Sequence, residues 1–296
     1  MTTQALLVEG VKEIIQDTTF TSARILDYLN QGVRQIAGGL FIQYPDRTQV
    51  FTSPLPELLT DSDLTTSTTN PYIDMPSDYG RNLIALVSAT NDIRIEVMGS
   101  LAELLNYYPE LDKTYRVTGA AIRGKRLYYQ GMPSTAETLT AFYYRTPYDM
   151  NSLTGSSDIT FTASTLRIAD SGSGLGIFYA GQTIDITGTT SNNTSFTIAS
   201  VESDGSYLTT TVAPTDESSV SATIKSRPDA IPVHLHESLL ENYAGWKIFE
   251  RKTNKDIPME AEAKRYHGLF IGAMLSLESS IENLPEPIRL MNDTGY

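Results

Sequence analysis

The sequence contains no cysteine and only three histidines among its 296 residues. Without cysteine the chain can form no disulfide, no thiolate metal site and no thiol nucleophile. No stretch approaches the ~18 consecutive apolar residues that a membrane helix needs, and the first residues lack the basic start and apolar core of a signal peptide. These absences predict a protein that works in the cytoplasm or in a particle assembled there, with no membrane partner.

Basic residues are also scarce, because 22 Lys and Arg stand against 35 Asp and Glu and the net charge is −13. Tight nucleic-acid binding usually needs a basic surface, and the densest basic cluster here is only Arg123, Lys125 and Arg126. An acidic surface would suit a wall past which DNA slides without sticking, because like charges repel. Taken alone, the charge is better explained by solubility.

The sequence offers one compact cluster of potential metal ligands, His234 and His236. Side chains two apart on a helix do not face each other, so the pair would suit one metal only on an extended segment. We therefore favour the interpretation that His234 and His236 are polar residues at the start of a helix. Asp170, Asp185 and Asp204 could in principle meet around calcium, but their spacing matches no calcium loop.

Three further patterns have plain structural explanations. Residues 173–176 are glycine-rich but lack the Lys-Ser/Thr ending of a phosphate loop, and they are interpreted as a hairpin loop. Glu260 and Glu262 are expected on a solvated helix face. A set of aromatic residues could form a sugar-binding platform but is more typical of a packed surface or an interface. This set is Tyr128, Tyr129, Phe142, Tyr143 and Tyr144. The sequence therefore predicts no catalytic residue, no metal site and no cofactor.

The middle of the chain differs in texture from its flanks. Residues 153–224 are rich in Ser, Thr and Gly, and turn residues separate six strand candidates at spacings typical of a sandwich or a small barrel. The segment has no Cys or Trp, which removes the signature of an antibody domain. The six candidates are residues 159–161, 166–168, 183–187, 195–201, 207–212 and 221–224.

The flanks show the apolar spacing of amphipathic helices and a smaller β region. Helices are predicted at about 3–16, 22–37, 101–107, 234–252 and 259–282, with a turn at 254–258. A three-stranded β-meander is predicted from residues 115–122, 126–129 and 137–145. Residues 44–70 are expected to form a long functional or mobile loop, 72–76 an extended piece, and 82–89 and 93–98 either strands or short helices.

These elements predict an α+β fold with a helical core, a small β-meander and an inserted all-β domain. The expected boundaries are residues 1–151 for the first part of the core, 152–227 for the insert, 228–283 for a helical hairpin completing the core, and 284–296 for an extended C-terminal tail.

Several segments outside the insert together resemble a known family. They are residues 25–33 (ILDYLNQGV), 75–79 (MPSDY), 127–133 (LYYQGMP), 142–147 (FYYRTP) and 231–244, which begins with Ile-Pro. Over residues 1–150 and 228–283 the chain resembles the head-to-tail adaptor (connector) proteins of tailed bacteriophages, most like those of short-tailed phages. The insert resembles β-modules that recur in phage structural proteins.

The resemblance implies a virion structural protein that forms a dodecameric ring between the portal protein and a tail or nozzle protein. DNA would pass the lumen without specific binding during genome ejection. The C-terminal tail would reach the portal, with Pro287, Ile288, Leu290 and Met291 as candidate contacts. The loop over residues 44–70 would meet the tail machinery, and its candidate contacts are Pro45, Pro54 and Pro56.

Two other function classes stay open at the sequence level. The β-insert and the tyrosines are compatible with a tail component that binds a receptor or a glycan. An enzyme such as a peptidoglycan hydrolase carried in the particle would need a carboxylate pair or a metal site.

Overall fold

The computed structural model describes residues 3–39, 41–43, 49–51, 54–252 and 257–282. The chain divides into two compact units, one formed by Met1–Thr52 with Tyr148–Tyr296 and the other by Ser53–Pro147. Helix and strand each account for 33% of the chain, so the predicted mixture of α and β structure is confirmed.

Three helices begin directly after a residue whose side chain caps the helix N-terminus. Thr3, Thr21 and Ser100 each precede a helix, and their hydroxyls accept hydrogen bonds from otherwise unpaired first-turn amides. Thr21 therefore caps the helix that the sequence predicts over residues 22–37. The helices are α1 (Gln4–Ile15), α2 (Ser22–Ala37), α3 (Leu101–Tyr107), α4 (Asn242–Lys252) and α5 (Ile257–Glu282).

The segment before α4 differs from the single helix predicted over 234–252. A 3₁₀ turn, Val233–Leu235, is followed by a π-helical turn, Glu237–Glu241, and only then by α4. π-turns are rare and widen a helix locally by one residue. Pro258 also lies inside the first turn of α5 and not in the expected connecting turn; proline is tolerated there because a first-turn amide has no partner in the helix.

The unit Ser53–Pro147 contains a seven-stranded sheet in the order β3-β9-β5-β6-β7-β8-β4. A two-stranded ribbon of β1 (Phe41–Gln43) and β2 (Gln49–Phe51) precedes it in the chain, within the other unit. The sheet strands are β3 (Leu59–Thr65), β4 (Tyr72–Asp74), β5 (Tyr79–Ser88), β6 (Ile93–Met98), β7 (Gly119–Arg123), β8 (Arg126–Tyr129) and β9 (Thr138–Arg145).

This sheet corrects two expectations and resolves a third. The prediction of a three-stranded meander is wrong, because β9 pairs with β3 and β5 and not with β8. The loop over 44–70 contains β2, a 3₁₀ turn and all of β3. The ambiguous segments 82–89 and 93–98 are strands. The long-range pairing of β3 with β9, 77 residues apart at Asp63 and Thr140, is not visible in local sequence patterns.

The insert is a closed six-stranded barrel in the order β10-β11-β14-β13-β12-β15. All six strand candidates are confirmed, and the barrel is the correct one of the two predicted architectures. Alternation along the strands turns every second side chain inward. The strands are β10 (Ser152–Thr162), β11 (Arg167–Asp170), β12 (Thr183–Thr187), β13 (Ser195–Val201), β14 (Tyr207–Thr210) and β15 (Glu217–Ser226).

Twelve buried residues pack together as the core of the barrel. They are Ile159, Phe161, Ile168, Leu175, Phe178, Ile184, Ile186, Phe196, Ile198, Leu208, Ala222 and Ile224. The first and last strands pair with each other, with Ser152 opposite Lys225. The chain therefore enters and leaves the barrel at neighbouring points, as an inserted domain requires.

Candidate functional site

Most of the predicted partner contacts fall outside the part of the chain that the structure describes. These residues are Pro287, Ile288, Leu290 and Met291 in the tail and Pro45 in the loop. Their roles stay predictions.

Pro54 and Pro56, the other two loop candidates, belong to a well-packed segment. Pro54 is buried, and Pro56 is exposed and begins the 3₁₀ turn Pro56–Leu58, which runs directly into β3. Leu55 and Leu58 on either side are 2% and 1% exposed. This end of the expected loop is therefore anchored by apolar burial, and Pro56 is the one of the two whose surface faces solvent.

The two neighbouring histidines lie in different environments. His236 is 1% exposed and its Nε2 lies 2.7 Å from the carbonyl oxygen of Ile231, whereas His234 is exposed. Burial lowers the pKa of His236, which favours a neutral imidazole. Among the described residues, no group of three or more histidine, aspartate or glutamate side chains has a geometry that could hold a metal ion.

Each of the three aspartates considered for calcium is engaged locally. Asp170 accepts hydrogen bonds from the backbone amides of Gly172 and Gly174. Asp204 accepts from the amide of Ser206. Asp185 faces Arg227, with a side-chain oxygen 2.9 Å from the guanidinium Nε. The structure does not bring the three together.

The glycine-rich segment 173–176 was expected to be a hairpin loop, and this is wrong. It forms a 3₁₀ turn, Gly174–Ile177, between β11 and β12, which are not paired with each other. Gly176 lies against Gly205 in the loop before β14, so the segment crosses one end of the barrel.

Two members of the aromatic set are core residues, whereas Tyr128, Phe142 and Tyr144 are half-buried. Tyr129 and Tyr143 are 0% and 1% exposed in the core of the seven-stranded sheet. The hydroxyl of Tyr129 donates to the carbonyl oxygen of Asn70 at 2.7 Å, and that of Tyr143 donates to Asp78 at 2.8 Å. For Tyr129 and Tyr143, packing in the sheet is therefore the explanation, as the second of the two interpretations predicted.

Four helices and the π-turn form the helical part of the first unit. α4 packs against α1, α2 and α5. Gly245 on α4 makes the close approach possible, because a Cβ there would lie 3.2 Å from Ile14 of α1 and 3.3 Å from Tyr266 of α5. A groove of about 700 Å³ runs between α1, α4 and α5.

The groove has a mixed lining of apolar and charged side chains. Carboxylates come from Glu13, Glu241 and Glu262, and one guanidinium comes from Arg265, which pairs with Glu262 at 3.2 Å. The apolar lining includes Ile14, Ile15, Phe249, Met259 and Tyr266. No nucleophile paired with a base lines the groove, so its distinctive chemistry is that of its carboxylates.

Glu241 is the most perturbed of these carboxylates. It ends the π-turn, half-buried against Gly10 of α1, where any side chain on Gly10 would collide with the carboxylate. Burial, with the carboxylates of Glu237 and Glu13 nearby, raises the pKa of Glu241 to about 7. Sequence reasoning missed this residue, although Glu237 and Glu241 stand four apart in the chain, a spacing at which like charges on a helix repel.

A comparison with known protein families assigns the chain to one of them. A protein-family model described as SU10 adaptor protein matches residues 1–175, which is more than half of the sequence. The chain belongs to the SU10 adaptor family. The predicted resemblance to phage head-to-tail adaptors is thereby confirmed, and the family gives this adaptor a structural role as a phage component. No curated protein matches the chain.

The match covers both N-terminal helices, the whole unit Ser53–Pro147, and the first two barrel strands, and it ends before β12. Among the described residues, no helix of this adaptor is both long enough and apolar enough to cross a membrane.

Proposed function

We propose that this adaptor forms a dodecameric ring between the portal protein and the tail of a phage particle and lines a channel for the genome. The observation that carries the proposal is the family match over residues 1–175. The helical part of the first unit would form the ring, with the helices α1, α2, α4 and α5 as the adaptor core. The protein is a structural component with no catalytic role.

The charge of the chain supports a conduit. A net charge of −13 gives the surface a potential that repels the phosphate backbone, so DNA would pass without specific binding. The barrel, entered and left through the paired residues Ser152 and Lys225, would project from the core as an inserted domain over residues 152–227.

The first test is the copy number of this chain in purified virions, measured against the portal protein by quantitative mass spectrometry. Equal numbers are expected for a ring that docks on the portal. A ratio set by three-fold tail fibres would move the protein to host recognition, and absence from the particle would remove the structural assignment altogether.

A second test concerns the tail over residues 284–296, which we propose as the portal contact through Pro287, Ile288, Leu290 and Met291. Deleting these residues should weaken binding to purified portal while the circular dichroism spectrum and the unfolding temperature stay unchanged. A fourfold alanine variant at the named positions should show the same loss. Unchanged binding by both variants would exclude the tail as the portal contact.

Receptor or glycan binding through the barrel is the second candidate. One end of the barrel exposes the apolar side chains Leu166 and Val212, which are 39% and 66% exposed. The hydroxyl of Thr210 lies within hydrogen-bond distance of the backbone carbonyl oxygens of both residues. Replacing residues 152–227 by a short Gly-Ser linker separates the candidates. Particles that assemble but fail to adsorb to the host would favour recognition, and particles that assemble and adsorb would leave the ring as the function.

A further inference from the structure

α5 presents an outward apolar face that no described residue covers. Leu269 and Leu275 are 47% and 50% exposed on this face. Gly268 and Gly272 lie on the same side of the helix, and a Cβ built on either glycine would meet nothing within 4 Å. The face is therefore both apolar and unusually shallow.

Packing inside the described part of the chain does not account for these two glycines. Gly32 and Gly245 are different, because a Cβ at either would press against a neighbouring tyrosine ring. Glycine in the interior of a helix lowers stability relative to alanine. What Gly268 and Gly272 provide is a surface on which the side chain of another helix can sit close to the backbone of α5.

α1 carries an outward face of matching character. Leu6 is 56% exposed, and Glu9 and Glu13 lie three and seven residues further along the same side of the helix. This face is apolar at its N-terminal end and acidic at its C-terminal end.

The charges on α5 complement those on α1. Lys264 and Arg265 lie about two turns before Gly272, with side chains that are 76% and 63% exposed. Each pairs with a glutamate on its own helix, and such exposed pairs are weak enough to exchange partners. The face of α5 thus carries two cations, each beside a glutamate of its own helix, towards its N-terminal end and is apolar further on, which is the reverse order of the face of α1.

We propose that α1 of one copy packs antiparallel on α5 of the next copy, with Leu6 over Gly272 and Glu13 beside Arg265. The spacing supports this register, because each pair of residues is seven apart and a helix rises about 10 Å over seven residues. The two surfaces differ, so the contact is heterologous and can close into a ring. The inference rests on the proposed ring and adds the surfaces that build it.

The absence of native cysteine makes the test direct. Two single variants, Leu6→Cys and Gly272→Cys, are mixed, assembled on purified portal rings from the same phage, and oxidised. A disulfide-linked dimer is expected from the mixture and not from either variant alone. A control mixture of Leu6→Cys with Val233→Cys, which has an exposed side chain on another element, should give no dimer.

The outcomes distinguish the two proposals. Rings that form on the portal, visible by electron microscopy, but give no Leu6–Gly272 link would overturn the interface and leave the adaptor function standing. Linking of either single variant to itself would also overturn it, because it would indicate a two-fold contact. If the unsubstituted protein forms no ring on the portal, the proposed function fails first and the interface fails with it.

A charge variant gives a second readout. Gly272→Glu places a carboxylate in open space and should leave the isolated chain folded, but in the ring this carboxylate would be pressed against Leu6, one turn from Glu9. We expect ring assembly on the portal to fall by roughly tenfold or more. Val233→Glu, at a site that is also 50% exposed, should assemble normally. Equal assembly of both variants would contradict the inference.

Discussion

The side-chain amide of Asn30 pairs with both backbone polar groups of Met150. Its Nδ2 donates to the carbonyl oxygen of Met150 at 3.0 Å, and its Oδ1 accepts from the amide of Met150 at 2.8 Å. Both residues are buried, at 8% and 0% exposure. The contact joins α2 to the segment that leads into the barrel, 120 residues away in the chain.

This pairing predicts that Asn30→Leu destabilises the protein by about 2–4 kcal/mol, because it leaves a buried amide and a buried carbonyl without partners. Urea unfolding followed by circular dichroism measures the change. Asp27→Asn, on an exposed position of the same helix, should stay within about 0.5 kcal/mol of the parent. If Asn30→Leu also lowered the free energy of unfolding by no more than about 0.5 kcal/mol, water or another group would have to replace the Asn30 amide as the partner of Met150.

Glu241 should make stability depend on pH. Its pKa is raised in the folded state to about 7 from an ordinary value of 4.5, so the folded chain binds the proton more tightly than the unfolded chain. Stability should therefore fall as pH rises from about 4.5 to about 7, by roughly 1 kcal/mol after allowing for solvent screening of a half-buried group.

Glu241→Gln should remove this contribution. The variant is expected to match the parent near pH 4 and to exceed it in stability near pH 8, in unfolding curves recorded across that range. Glu9→Gln, at an exposed carboxylate paired with Lys12, is the matched control and should not show this pattern. Because each variant is compared with the parent at the same pH, the opposing titration of His236, whose pKa burial lowers, cancels. Parallel pH profiles for parent and Glu241→Gln would exclude a perturbed carboxyl here.

Two glycine-to-alanine changes should have opposite signs. At Gly32 a Cβ would lie 2.9 Å from the ring of Tyr243, so Gly32→Ala should cost about 1–2 kcal/mol in spite of better helix propensity. At Gly272 the space is open, and Gly272→Ala should stabilise the isolated chain by about 0.5–1 kcal/mol. Thermal unfolding of the two variants measures both changes in stability. Unfolding temperatures that shift in the same direction would contradict the different packing at Gly32 and Gly272.

The ion pair of Arg227 with Asp185 lies at the end of the barrel, with side chains only 10% and 15% exposed. Arg227→Met should destabilise the protein by about 3 kcal/mol, because it leaves the carboxylate of Asp185 buried without its cation. The double variant with Asp185→Leu should recover most of the loss, since the desolvated charge is then gone too. A double variant as unstable as the single one would show that the pair acts through its other contacts, such as the hydrogen bond from Arg227 to Ser195.

Local patterns in the sequence correctly predicted what depends on near neighbours. The Ser-, Thr- and Gly-rich composition and the turn residues between short segments predicted all six barrel strands, and apolar spacing predicted α3 over residues 101–107. What failed depended on distant partners. β9 follows β8 closely in the chain yet pairs with β3 and β5, and the π-turn that carries Glu241 was hidden inside an ordinary helical spacing.

By itself the sequence determined most of the helices, the six barrel strands and the family resemblance, because propensity, alternation and turn chemistry act over a few residues. The tertiary structure alone decided the sheet order, the closure of the barrel and the environment of Glu241. Strand partners are chosen by burial of whole faces, and a carboxyl pKa is set by the charges and apolar groups that packing brings around it. The exposed faces of α1 and α5 depend on both the sequence and the tertiary structure. The sequence supplies Leu6 and Gly272, and the fold leaves these two residues uncovered.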